Sequence, residues 1–420
     1  MTIGTASRLE ACRTLARDGS SNASADRDLN LRCRWSVYIL ERIFSPRLCA
    51  SDEDIWALDF PPSAPVPPPL PSTRHEDCPP DLYNAYDAKK DLGITAYYIR
   101  MVSVSGDVSS WLHHIRLAKD EAPWLPESTY ARLIARVYEC DSQLPANHLL
   151  RNVAFSKRSP VEVLQQREYW VPWVLMQLEC HAYLSILNHP FIHLVAVRNC
   201  SKGSQSGIFL QHTVDSALFH SGWVSRFLRL CDGHQLELCD PLIGHLVAAV
   251  ATIPWLLQFV QDAEVSRKAA QDLDLCKSHL VRMSTVWPHI SQKLEVLQNL
   301  QLISDHYRHE PAKDGGAVTF PPSLLWELLD PEICHMGRPQ RNLTEHSSTS
   351  RQVPDARIQM TTHLTHPLTE SQTDLSSSSD SSPNFENLFS LSSDNLEQMS
   401  MDDLFGHFML ENMHRGGYNI

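Results

Sequence analysis

Among residues able to do chemistry, the best-spaced group in this chain of 420 residues is Cys231, His234 and Cys239 in "CDGHQLELC". Two thiols and an imidazole so close together could bind zinc. A structural zinc site takes four ligands, commonly with cysteines two residues apart, and no Cys-x-x-Cys pair occurs anywhere in the chain. The group therefore reads as a turn with buried thiols. "GSQSG" at 203–207 has the glycine spacing of a nucleophile elbow, but Gln205 stands where the nucleophilic serine must be. A Gly-rich phosphate loop and a His-Glu-x-x-His helix are both missing. His113 and His114, and His189 ahead of Pro190, belong to no recognisable ligand frame and read as core or cap histidines. No catalytic, cofactor-binding or metal-ligating residue is assigned, no cofactor is expected, and the chain is not expected to be an enzyme.

The elements that would position any such residue are helical. From about residue 81 to 335 apolar residues recur three and four apart. Examples are Ile94, Tyr97, Tyr98 and Met101 within 86–117, Leu133, Ile134 and Val137 within 128–140, and Trp173, Val174, Gln177 and Leu178 within 170–187. Further helices are expected over 208–231, 241–261 and 265–302. Alternating Val/Ile/Thr runs are nearly absent, so the fold class is all-α. Residues 242–260 carry no formal charge over 19 positions, close to the length of a membrane span. His245, Thr252, Pro254 and Gln258 interrupt them and Asp240 and Asp262 flank them, which suits a buried central helix better. No membrane association is expected.

Composition divides the chain. Residues 1–28 are small and polar and are expected to be disordered; 29–335 form one large helical domain; 336–420 are a disordered Ser-rich acidic tail. Within the domain, 61–80, "PPSAPVPPPLPSTRHEDCPP", are too rich in proline for helix and read as an extended connector. The formal net charge is −13, which opposes unaided binding to nucleic acid, because phosphates require concentrated Lys and Arg. The last eighty residues, 341–420, hold 11 acidic and 4 basic residues, so 4 − 11 = −7, more than half of that excess. The 11 cysteines are irregularly spaced and no apolar signal segment precedes them, which fits reduced thiols in cytosol or nucleus.

Two segments carry pattern beyond this. In 374–413 acids alternate with aromatic and aliphatic residues and there is no Lys or Arg, the composition of an amphipathic activation segment that folds on a partner. Ser400, Asp402 and Asp403 suit the start of a helix on which Leu404, Phe405, Phe408 and Met409 supply anchors. The second is "RCRWSVYILERIFSPRLCASDEDIWALDFP" at 32–61. Trp35, Tyr38, Ile39 and Ile43 share one helix face and should pack inward, while Glu41 and Arg42 can pair with Arg47 or Asp52 and set the exit path. Its bland reading is architectural: a core helix that positions the proline connector.

This second segment resembles the signature of the fungal-specific transcription factor domain, the middle regulatory region of binuclear zinc cluster activators. The resemblance rests on Arg32, Arg34, Trp35, Ser36, Tyr38, Leu40, Glu41 and Arg42 in the helix and on Asp52, Asp54, Ile55 and Pro61 beyond it. "WLHHIRLAKDEAPWLP" and "LECHAYLSILNHPFI" resemble later helices of the same domain, so the likeness covers about residues 29–300. It implies a helical regulatory domain in a nuclear transcriptional activator, possible homo- or heterodimers, coactivators as partners, and control of one metabolic pathway such as a secondary-metabolite gene cluster. The family's six-cysteine DNA-binding module has no counterpart here, since only Cys12 precedes the signature, and no basic import signal is evident. DNA contact is therefore expected only indirectly, through a zinc cluster encoded ahead of this chain or through a partner regulator. The competing expectation is an α-helical small-molecule-binding or catalytic protein with structural similarity alone.

Overall fold

The computed structural model describes residues 23–44, 59–68, 91–117, 122–199, 207–259, 263–309 and 320–329. In chain order its α-helices are α1 (Ala23–Phe44), α2 (Ile94–Arg116), α3 (Thr129–Ser142), α4 (Leu150–Val153), α5 (Pro160–Gln165), α6 (Arg167–Leu187), α7 (Pro190–Asn199), α8 (Gly207–Gly233), α9 (Pro241–Val250), α10 (Thr252–Leu257), α11 (Ala263–Ser284), α12 (Pro288–His309) and α13 (Pro322–Leu329). No strand occurs among the described residues, and the fold is all-α.

The arrangement follows from α6. Between residues 171 and 187 its sequence holds a single formal charge, Glu179. A helix apolar on every side has no face to give to water and must be enclosed. It is: every residue from Trp173 to Leu187 is buried. Helices α2, α3, α8 and α9 surround it. At its start Phe155, Trp170, Trp173 and Phe227 form an aromatic knot with centroids 5.0 to 6.0 Å apart. The Trp173 indole N–H donates to the His148 carbonyl at 2.8 Å, so burying that ring leaves no donor stranded.

Helix limits have local causes. Ser128 caps α3 by accepting from the Ala131 N–H at 3.1 Å. Ser159 and Glu162 make a reciprocal capping box at α5. Asn188 ends α6, and Pro190 opens α7 from the position where a missing N–H costs nothing. Sequence periodicity placed several limits wrongly. The single helix expected over 265–302 is two, α11 and α12, because Pro288 disfavours helical geometry at Trp287. The apolar window 242–260 is also divided, between α9 and α10 at Ala251, and both pieces are buried. Among the described residues no helix is long and apolar enough to cross a membrane. Helix α1 begins at Ala23, before the expected limit at residue 29, and α2 begins at Ile94, after the expected 86. Helices α7 and α13 escaped periodicity altogether.

Residues 59–68 run as an extended strap over the helices, without regular structure. Trp35 of α1 stacks on Phe60 at 5.0 Å and meets Tyr38 edge-on at 5.4 Å. The Trp35 indole N–H donates to the Asp59 carbonyl at 3.0 Å, Arg32 donates to the Pro62 carbonyl at 3.0 Å, and Arg27 pairs with Asp59 at 2.7 Å. Farther along, the buried Arg158 guanidinium donates to the Pro68 carbonyl at 2.6 Å. Proline suits a strap because its fixed φ lowers the entropy lost on ordering. The strap also starts α2, where Gly93 offers no side-chain cap: the Thr95 N–H donates instead to Ser63 Oγ at 3.0 Å. Gly93 has φ +82°, and a Cβ there would lie 2.5 Å from Ser63 Cβ. Gly93→Ala is therefore expected to cost about 2 kcal/mol or more, adding left-handed strain to a steric clash. Chemical denaturation checks the loss, and proteolytic cleavage within 59–68 should accelerate with it.

Candidate functional site

Several places in the molecule hold functional groups in defined geometry. The first is the α1–strap junction. Trp35 and Tyr38 are buried, Arg34, Glu41 and Arg42 are half-buried, and Ser36 is exposed. The Arg42 guanidinium lies over the Tyr38 ring at 5.3 Å. The anticipated partners of Glu41 and Arg42, at Arg47 and Asp52, lie outside the described residues, as do Ile43's side chain and Asp54. The junction joins two segments of the same chain: an aromatic side chain from α1 and a main-chain carbonyl from the strap. Leu404, Phe405, Phe408 and Met409, with the whole of 374–413, also fall outside the described residues.

The second is a buried acid–phenol cluster where α2, α6 and the start of α9 converge. Asp240 caps α9 through the Leu242 N–H at 2.8 Å and accepts from the Tyr98 hydroxyl at 2.6 Å. Glu179 of α6 is 0% exposed, and neither of its carboxylate oxygens has a hydrogen-bond partner. Burial pushes the Glu179 carboxyl well above the usual range, and the Asp240 charge raises it further. Burial likewise raises Asp240, against hydrogen bonds from Tyr98 and the α9 N-terminus. Tyr98 and Tyr183 are held neutral by burial and by these acids. Sequence reasoning missed this cluster. The available signal was Glu179 itself, a lone carboxylate inside an otherwise uncharged helix.

The third is a set of buried histidines. His181 and His220 face each other through Nδ1 at 2.9 Å, with His181 stacked on Trp223 at 5.2 Å. His189 bonds Thr252 at 2.8 Å, and His193 donates to the Leu187 carbonyl at 2.7 Å. His189 thus sits in the core, while His113 and His114 occupy the last turn of α2, where a positive charge suits the helix dipole. Around "CDGHQLELC", Cys231 and His234 are buried but Cys239 is exposed, and His234 packs against Phe155 at 4.7 Å. Burial pushes the Cys231 thiol up to about 12, far from a thiolate ligand. Among the described residues no three His, Cys, Asp or Glu side chains converge to hold a metal ion. Residues 203–206 of "GSQSG" are outside the described set.

Comparison with known proteins adds one relative of stated role. Over 222 residues the chain is 24% identical to an uncharacterized transcriptional regulatory protein of Schizosaccharomyces pombe. The likeness is to a fungal transcriptional regulator. It covers 50% of this chain and 25% of the relative, so the chain matches about a quarter of that protein's length. No family model matches the chain, and no solved structure does either.

The histidines set the response to acid. Desolvation lowers His181 and His189 to about 3 and His193 and His279 to about 4, and holds His220 and His245 well below the ordinary value. Unfolding frees these imidazoles to bind protons at about pH 6.5. Between that value and their folded values the unfolded chain holds more protons, so stability falls as the pH drops. Each histidine contributes a slope of up to about 1.4 kcal/mol per pH unit. Glu179, Asp240, Asp141, Asp215 and Asp272, raised by burial, act in the opposite direction, but His148, His234 and His289 are also lowered, so nine imidazoles stand against five acids. Denaturation midpoints measured from pH 7 to pH 5 should fall steeply; a flat profile would contradict neutral burial of the imidazoles.

Proposed function

We propose that the chain is a fungal transcriptional regulator that acts through a helical regulatory scaffold and an acidic activation segment at 374–413. The observation that carries the reading is the 24% identity, across half of the chain, to a protein described as a transcriptional regulator. The resemblance of 32–61 to the fungal-specific transcription factor domain supports it. The work is protein contact rather than catalysis, and it is done in the nucleus. Its net charge of −13 suits an acidic activator and opposes direct phosphate binding. DNA is reached through a zinc cluster module or a partner regulator, in a homo- or heterodimer. The resemblance also supports a pathway-specific role at a metabolite gene cluster.

In the activation segment the carboxylates keep the aromatics solvated, and the aromatics anchor when a coactivator offers a groove. Residues 374–420 fused to an unrelated DNA-binding module should activate a reporter. Replacing Leu404, Phe405 and Phe408 together by Ala should reduce activation at least tenfold without altering charge. A silent fusion, or full activity in the triple variant, would overturn the activation reading.

A further inference from the structure

His148 is bonded at both ring nitrogens, and the two bonds lead to different parts of the fold. Its Nε2 lies 3.0 Å from Asp91 Oδ2, just ahead of α2, and its Nδ1 lies 3.0 Å from the Tyr169 hydroxyl in α6. The ring is buried, whereas Asp91 is exposed. The Asp91 carboxylate also accepts from the Gly93 N–H at 2.8 Å and the Asn147 side-chain amide at 3.0 Å. The residues that follow seat the start of α2. The Leu92 N–H donates to the Tyr97 hydroxyl at 3.4 Å, the Ala96 N–H to the Gly93 carbonyl at 3.0 Å, and the Thr95 N–H to Ser63 of the strap at 3.0 Å. One imidazole therefore connects α6, through Asp91, to the first turn of α2 and the middle of the strap.

The hydrogens along this line follow from what each group can donate. Tyr169 is 0% exposed, and its hydroxyl has His148 as its one hydrogen-bond partner among the described residues. With a neutral ring, Nε2–H donates to Asp91 and Nδ1 accepts from the hydroxyl, so every hydrogen has an acceptor. A second proton makes Nδ1 a donor toward Tyr169 and strands the phenolic hydrogen inside the core, which is unfavourable. Burial lowers His148 from its ordinary value, against the attraction of Asp91. Tyr97, whose ring centroid is 5.9 Å from that of His148, and Tyr169 are raised by burial. Burial also raises the Asp91 carboxyl, but bonds from Asn147 and Gly93 leave it lowered on balance. Arg158 acts on Tyr169, and the Arg100 guanidinium lies 6.0 Å from the Tyr97 ring. Within this set the imidazole is the group that changes charge between pH 7 and pH 5.

We propose that His148 is a proton-operated latch, which when neutral fastens residues 91–96 and the strap to α6 and when protonated releases them while the rest of α2 stays folded. Release exposes the ring to water, where it binds a proton at about pH 6.5. That is above its folded value, so the open form holds more protons and the latch weakens as the pH falls below about 6.5. One proton is involved, which limits the change in the opening equilibrium to about tenfold per pH unit. The device is independent of the activation segment and is tested without it.

Hydrogen exchange of the full chain, expressed as protection factors, reads the latch at the amides of Leu92, Gly93, Thr95 and Ala96. In wild type their protection should fall at least fivefold between pH 7 and pH 5 and stay below that of α6 throughout. His148→Gln keeps a donor for Asp91 but takes up no proton, and its protection at these amides should change less than twofold over the same range. Asp91→Asn, at an exposed position, removes the charge from the bond to His148; protection at pH 7 should drop at least threefold, with the acid response kept. The His148 ring resonance, followed by NMR in wild type, should titrate below pH 6.5. A flat wild-type profile, an equal fall in His148→Gln, unchanged protection in Asp91→Asn, or titration of His148 at or above pH 6.5 would each overturn the proposal.

Discussion

The structure depends on one constraint: α6 has no face that water can solvate. Its interior tract from Trp173 to Leu187 is buried throughout, so it is stable only when α2, α3, α8 and α9 cover it together. An isolated helix of this composition would expose nearly all of its apolar surface, and helices in water owe most of their stability to such packing. Coverage on all sides makes cooperativity unavoidable, because removing any neighbour exposes part of the same helix. The more distant elements then arrange themselves around that shell. Helix α12 lies against α11 and α13, and buried Lys293 donates to the Glu327 and Leu328 carbonyls at 2.6 and 2.9 Å. That contact satisfies the free carbonyls at the end of α13 with a positive charge.

Within the same enclosure, buried polar groups bond the main chain or one another, as Tyr130 does Asn188 at 2.7 Å, or are left without a partner. Arg158 is buried and reaches the Val153 and Pro68 carbonyls, which ties the strap to the aromatic knot beneath it. Trp35 performs the corresponding task at the other end of the strap. Arg136 with Asp107, and Arg229 with Asp272, bridge neighbouring helices nearer the surface, where such pairs contribute little. Glu179 is different. It sits at the middle of the most enclosed helix, and nothing in the fold itself bonds its oxygens. The structure thus combines a strap bonded to α1 through its main-chain carbonyls with an interior in which Glu179 is one of several buried polar groups without a partner.

The fold class was legible because helical periodicity is a local property. Ser128, Asn188 and Pro190 marked helix limits through chemistry that acts within a few residues. Long periodic stretches were harder to divide. The apolar pattern continues unbroken through Trp287 and Ala251, ahead of Pro288 and Pro254, so 265–302 and 241–261 read as single helices. The inward face of α1 was legible from the spacing of Trp35, Tyr38 and Ile39. Its attachment to 59–68 through main-chain carbonyls was not, because carbonyls carry no sequence signature. For the acid–phenol cluster, Tyr98, Glu179 and Asp240 lie on three separate helices or their caps. No local rule brings them together, and Tyr98 had the periodicity of an ordinary core residue. The activation role proposed for 374–413 rests on composition, and those residues lie outside the described set.

Native-state hydrogen exchange of the full chain tests the central claim most directly, because it resolves how each helix depends on the others. If α6 is the element that its neighbours exist to enclose, its amides between residues 174 and 187 open only with the whole domain. They should exchange slowest of all, with α2 and α8 at the same limit, while α1, the strap and α13 open at lower free energy. Exchange in α6 faster than in α2 and α8, through a local opening that leaves those helices protected, would contradict the account.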